Sequence, residues 1–241
     1  MMLRDASLSI ANSVQTLLID ADDTLWENNI YFERAIAGFI SFLNHHEYSP
    51  EQVRGVLNEV ERECIITHGY GLYSFAHALV GTFEKLAVEP LTPALHETIN
   101  GFAHAIAEHP VEIIAGVPDS LDYLAERHHL ILMTKGAIAE QSGKVERSGL
   151  KDYFAAIEIV AEKDAATYRS ITSKYAFAKI PRGWSETAQN QISILRSRPA
   201  LTLFSCLMVT PGVGELSSSC SRIPPSRLLV VETFGNLREH F

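Results

Sequence analysis

The sequence predicts an α/β fold, a doubly wound parallel sheet with a block of helices inserted into it. Three observations predict it. LLIDADDTLW (17–26) is an apolar run that ends in three carboxylates. From about residue 28 to residue 110, apolar residues recur every three or four positions, the period of amphipathic helices. Beyond residue 110 short apolar runs alternate with helical segments, the pattern of a parallel sheet covered on both faces.

Taken in order, SVQTLLID reads as a buried strand with the acids at its carboxyl end. YFERAIAGFISFLNHH, SPEQVRGVLNEVERECIITH and LTPALHETINGFAHAIAEH read as helices. In the second of these, Ser49 is placed as an amino-terminal cap and Pro50 as the first helical residue. HGYGLYSF, with Gly69 and Gly71 flanking Tyr70, lies between two helices, and its tyrosines are more simply packing than chemistry. GVPDSLDYLAERHH then reads as a helix, HLILMT as a strand, and AIAEQSGKVERSG as a helix stopped at Gly149. IEIV is a strand and DAATYRSITSKYAF a helix. In such sheets reactive groups collect beyond the carboxyl ends of strands, where both the acids after LLI and Thr134 after LILM fall.

Composition narrows the function classes. A formal charge of −9 argues against a nucleic-acid surface, which needs clustered Lys and Arg. Three separated cysteines, Cys64, Cys206 and Cys220, do not make a disulfide framework or a zinc site, so a reducing cytoplasm is the expected compartment. The opening MMLRDASLSIANS has no apolar signal core, and LTLFSCLMV is too short to cross a bilayer. The ten histidines are scattered, without metal-ligand spacing.

Three acids within four positions repel one another unless a cation or a reaction holds them together. Asp20, fixed by the strand, is placed to attack an electrophile or to bind a cation. Asp22, two residues on, projects to the same side of an extended segment and can trade a proton with a leaving oxygen and then with water. Attack on phosphate further calls for a hard divalent cation, because nucleophile and electrophile are both anionic. Asp23 is read as turn or cap chemistry.

LLIDADDTLW resembles the first motif of the haloacid dehalogenase superfamily, an apolar strand followed by DxDxT, here Asp20, Asp22 and Thr24. LILMTKG is similar to the second motif, with Thr134 at the strand end. IEIVAEKDAATY places Lys163 as the third-motif lysine, preferred over Lys135 and Lys144 for its position between strand and helix. The resemblance covers about residues 14–180. It implies a Rossmann-like core of residues 14–27 and 111–241 with a helical cap of residues 28–110. It also implies a magnesium-dependent phosphatase acting on a small phosphorylated metabolite through an aspartyl-phosphate on Asp20. Asp22 then serves as acid and base, and Thr134 and Lys163 hold the phosphoryl oxygens, with Lys135 and Gly136 beside them in the substrate-binding set. An acid at Asp22 favours an oxygen leaving group, since halide needs no proton.

The family's fourth motif supplies a further acid to the magnesium, and here the pattern breaks. Residues 1–180 hold 25 of the 29 acids and 14 of the 20 Lys and Arg, and no aspartate follows Asp164. Serine becomes abundant from about Pro181, and normal patterning resumes near Arg227 with RLLVVETF. Residues 182–226 therefore read as divergent, with the signature of a shifted reading frame. Glu215, after the strand-like CLMV, is the replacement ligand expected alongside Asp20 and the backbone of Asp22, with Glu186 the other candidate. The alternative is an impaired or non-enzymatic binding protein that keeps the fold without the full metal site.

Overall fold

A computed structural model describes residues 16–43, 47–175 and 208–210 of the 241-residue chain. The sheet is built from β1 (Thr16–Ile19), β2 (His129–Lys135), β3 (Ala156–Val160) and β4 (Met208–Thr210), in the order β3-β2-β1-β4. β1 runs parallel to β2, with Leu18 opposite Ile131, and β2 parallel to β3, with Thr134 opposite Ile159. These registers bring the carboxyl ends of β1, β2 and β3 to one edge, where Asp20, Thr134 and the chain leading to Lys163 emerge.

β4 pairs antiparallel with β1, Leu17 facing Val209, so the sheet is not parallel throughout as the sequence predicts. Strand direction depends on how the chain returns to the sheet, which local apolar patterning does not encode. The expectations for Glu215 and Glu186, and for most of 182–226, lie outside the described residues.

Helices cover both faces of the sheet. Leu17, Ile19, Leu130 and Leu132 pack against Val117, Leu121 and Leu124 of α5 (Val117–Ala125) and Val145 of α6 (Ile138–Ser148). Leu18, Ile131 and Met133, pointing the other way, pack against Tyr168 and Ile171 of α7 (Ala165–Lys174). The strict alternation along β1 and β2 is the period of two expected of strands buried on both sides.

Between β1 and α5 lie four helices, α1 (Asn29–Leu43), α2 (Pro50–His68), α3 (Leu72–Leu86) and α4 (Pro93–Glu108). They close around their own core, in which Phe39, Leu57, Phe75, Leu79, Phe83 and Ile99 are buried. The start of α2 is the one the sequence announces, with Ser49 and Gln52 exchanging side-chain and backbone hydrogen bonds behind Pro50. α3 is a helix the sequence reading passes over, and it takes LYSF from the expected loop, leaving Gly69–Gly71 as the turn. Two chain crossings join the block to the sheet: Glu27 N–H donates to the Glu112 carbonyl at 2.9 Å and Ile114 N–H to the Leu25 carbonyl at 3.0 Å. Among the described residues no helix is long and apolar enough to cross a membrane.

Candidate active site

Buried Leu17, Leu18 and Ile19 hold β1 rigidly, and Asp20 follows at its carboxyl end. Its Oδ1 accepts from the Ala21 N–H at 2.8 Å and from the ammonium of Lys163. Lys163 stands between β3 and α7, its side chain only 11% exposed, with Asp164 capping α7 through the Thr167 N–H. The strand-to-helix position that recommended Lys163 over its rivals thus delivers it to Asp20. No hydrogen bond falls on Asp20 Oδ2 from the described residues.

Asp22 is held by three nitrogen donors. Trp26 Nε1–H and Lys144 Nζ reach Oδ1 at 2.8 and 2.9 Å, and Gln141 Nε2 reaches Oδ2 at 2.8 Å. Lys144 also donates to Asn28 Oδ1 at 2.7 Å. The two lysines therefore divide the acids, Lys163 on Asp20 and Lys144 on Asp22.

Asp23 bears out its reading as turn chemistry. It takes the left-handed backbone conformation, φ 58°, and its Oδ1 accepts from the N–H groups of Asn28 and Asn29 at 3.0 and 2.8 Å, at the entry to α1. Burial raises its pKa, against the pull of those two N–H groups. Asp23→Ala is expected to cost about 1–2 kcal/mol, the worth of a lost cap plus the strain of a Cβ without Asx bonding in that conformation. Asp23→Asn keeps the acceptor oxygen. Because the folded state holds the Asp23 proton more tightly than the unfolded chain, the contribution of Asp23 to stability falls as pH rises above the ordinary value of 3.8. Urea unfolding at a series of pH values should then find Asp23→Asn gaining on wild type as pH rises, with the two converging in acid.

Thr134 is the penultimate residue of β2 at 1% exposure, and its hydroxyl donates to Gln141 Oε1 at 3.0 Å. Lys135, named with it as substrate-binding, is committed elsewhere: Nζ donates to Glu162 Oε1 at 3.1 Å and sits 3.7 Å from the centroid of the Tyr70 ring. Tyr70 in turn donates to Glu162 Oε2 at 3.1 Å, so the turn between α2 and α3 is fastened to the sheet edge. Burial opposes ionisation of Glu162, but Lys135, the Lys163 N–H and Tyr70 outweigh it and lower its pKa. Glu140 adds a second fastening, accepting from the Leu72 N–H at 2.9 Å at the open start of α3. Gly136 has φ 148°, and a Cβ there would come within 3.1 Å of Gln141 Nε2. In this structure it makes room for Gln141, a role the sequence reading assigned to substrate.

Five residues of this arrangement went unread in the sequence: Trp26, Asn28, Glu140, Gln141 and Glu162. Glu140 and Gln141 sit in the first turn of a polar helix, and the only available signal was that this helix follows the Thr134 strand end directly.

The chain matches no family model and no curated protein sequence. Among solved structures it is similar to a haloacid dehalogenase-like family hydrolase from Xanthomonas campestris, with 34% identity, coverage of 68% of this chain and 69% of that one, and a TM-score of 0.62. Less similar are the magnesium-bound HAD-hydrolase YfnB from Bacillus subtilis, 17% identical over 70% of this chain and 75% of that one with a TM-score of 0.47, and the L-2-haloacid dehalogenase from Xanthobacter autotrophicus, 16% identical over 69% and 66% with a TM-score of 0.44. Identity of one residue in three with the Xanthomonas hydrolase, carried by a sheet that sets Asp20, Thr134 and Lys163 at one edge, shows that this chain belongs to the haloacid dehalogenase-like hydrolases.

Proposed function

We propose that the chain is a phosphatase that hydrolyses a small phosphorylated metabolite by way of an aspartyl-phosphate on Asp20, with the four-helix block as its cap. The observation that carries the reading is the pairing of Asp20 with Lys163, next to a second carboxylate, Asp22, two residues on. Asp20 attacks phosphorus, and Lys163 offsets the charge of nucleophile and phosphoryl group as they meet. Asp22 protonates the departing oxygen and then takes a proton from the water that hydrolyses the acyl-phosphate. Thr134 donates its hydroxyl to a phosphoryl oxygen. A dehalogenase has no use for an acid at Asp22, since halide leaves without a proton, so this residue favours phosphoester hydrolysis.

Magnesium fits part of this donor set. Asp20 Oδ2 is a carboxylate oxygen that no described donor occupies, whereas both side-chain oxygens of Asp22 are taken by nitrogen donors, which limits Asp22 to its main-chain carbonyl as a ligand. Glu215, the expected third ligand, lies outside the described residues. When bound, the cation would supply charge neutralisation to the phosphoryl group.

The test is release of inorganic phosphate from 4-nitrophenyl phosphate with magnesium and with excess chelator. Saturable release that the chelator abolishes is the expected result. Folded protein that releases no phosphate from any ester at saturating magnesium removes the reading, and chloride release from a 2-chloroalkanoate in its place makes the chain a dehalogenase.

A further inference from the structure

We propose that Gln141 is a positioning residue that couples occupancy of Thr134 to the freedom of Asp22. The proposal deepens the phosphatase reading and rests on it for its kinetic consequences. Gln141 is 4% exposed and lies in the first turn of α6, its N–H donating to the Ala137 carbonyl at 3.0 Å. Its amide spans the two motif residues, accepting from Thr134 at 3.0 Å and donating to Asp22 at 2.8 Å.

The chemistry of the groups fixes the direction of each bond. Paired with the Lys144 ammonium and the Trp26 indole N–H, Asp22 serves as acceptor, so the NH₂ end of Gln141 faces it and Oε1 faces Thr134. Thr134 must then be the donor, and a hydroxyl has only one proton to give. A phosphoryl oxygen seated on Thr134 takes that proton and leaves Gln141 Oε1 without its donor. A buried amide that loses a partner becomes costly to hold in place, and Gln141 is then free to turn.

The consequence falls on one oxygen of Asp22. Trp26 and Lys144 both address Oδ1, while Gln141 is the partner of Oδ2. Release of Gln141 therefore frees Oδ2 while the other donors continue to anchor the carboxylate. Asp22 stays clamped while Thr134 is empty and can turn to the leaving oxygen once phosphate is seated. The backbone keeps this path clear: Gly136 has φ 148°, and any side chain there would press on the amide end of Gln141.

The experiment compares wild type, Gln141→Met, Thr134→Val and the double variant, with Gln141→Glu as a second probe should Gln141→Met fail to fold. Gln141→Glu keeps an acceptor for Thr134 and loses the donor to Asp22. The first readout needs no turnover. The Trp26 indole N–H resonance, assigned with Trp26→Phe, reports on Asp22. It should move in both single variants and move no further in the double variant. Inorganic phosphate should shift it in wild type and leave it unmoved in Gln141→Met. The second readout is kinetic: kcat on an alkyl phosphate should fall on the order of tenfold to a hundredfold with KM little changed, as expected of a misplaced catalytic group. 4-Nitrophenyl phosphate, whose leaving group needs less protonation, should lose less. An indole resonance indifferent to both Thr134→Val and Gln141→Met overturns the coupling, whatever the enzyme turns over. If wild type hydrolyses no phosphoester, the phosphatase reading falls and the indole resonance alone decides the bridge.

Discussion

Asp20→Asn should lower kcat by about a thousandfold or more, the scale seen when an enzyme loses its nucleophile. The fold should survive the change. Asparagine has nearly the same volume, keeps an Oδ1 to accept from the Ala21 N–H and from Lys163, and follows a strand whose burial is independent of it. What disappears is the negative oxygen that, in the proposed reaction, attacks phosphorus. Substrate binding should weaken little, because Thr134 and Lys163 remain, and loss of the Asp20 charge removes a repulsion with the phosphate dianion. A kcat loss with KM steady or lower is thus the expected signature. A rapid acid quench supplies the companion measurement: wild type should trap covalent phosphate that hydroxylamine releases, and Asp20→Asn should trap none. A variant that keeps a tenth of wild-type turnover would place the nucleophile elsewhere, and an acyl-phosphate on another residue would show where.

Much of this site was legible because its parts announce themselves locally. A strand followed by acids, a strand followed by Thr134, and a strand-to-helix junction bearing Lys163 are each patterns of a few residues. Parallel pairing of β1, β2 and β3 then brings them to one edge without further instruction. Ser49, Pro50 and Gln52 likewise specify a helix start from four consecutive positions. The parts that escaped the sequence are those decided at a distance. Gln141 and Lys144 belong to EQSGKVE, which reads as the solvated face of a short helix, and only the packing of α6 beside β2 turns them onto Asp22 from more than a hundred residues away. Tyr70 looked like packing between helices, and its hold on Glu162 depends on how the helical block lies against the sheet. Gly136 was legible as a special position but not for its purpose, since the neighbour that demands it arrives one turn into the next helix. The antiparallel entry of β4 is of the same kind.

Trp26 joins these two levels, and its replacement is the largest stability effect expected of any single residue near the site. It is 1% exposed in the core shared by β1, β2 and α5, bridges to Ile113 where the chain leaves and re-enters the sheet, and donates to Asp22 through its indole N–H. Trp26→Ala should cost about 3–5 kcal/mol, the sum of lost apolar burial and the cavity left behind. Urea unfolding followed by far-UV circular dichroism measures it. Because the four helices have their own core, their unfolding can separate from that of the sheet once Trp26 no longer fills the junction, and a single transition in wild type should broaden or split in the variant. Trp26→Phe separates packing from chemistry. It retains most of the apolar contact, so its stability loss should be the smaller one, but Asp22 Oδ1 keeps Lys144 as its only described donor. Activity should therefore fall in Trp26→Phe by more than its stability loss explains, and the deficit should be greatest on substrates whose leaving oxygen most needs a proton. Equal deficits across leaving groups would mean that the indole serves packing alone, and that Lys144 and Gln141 suffice to place Asp22.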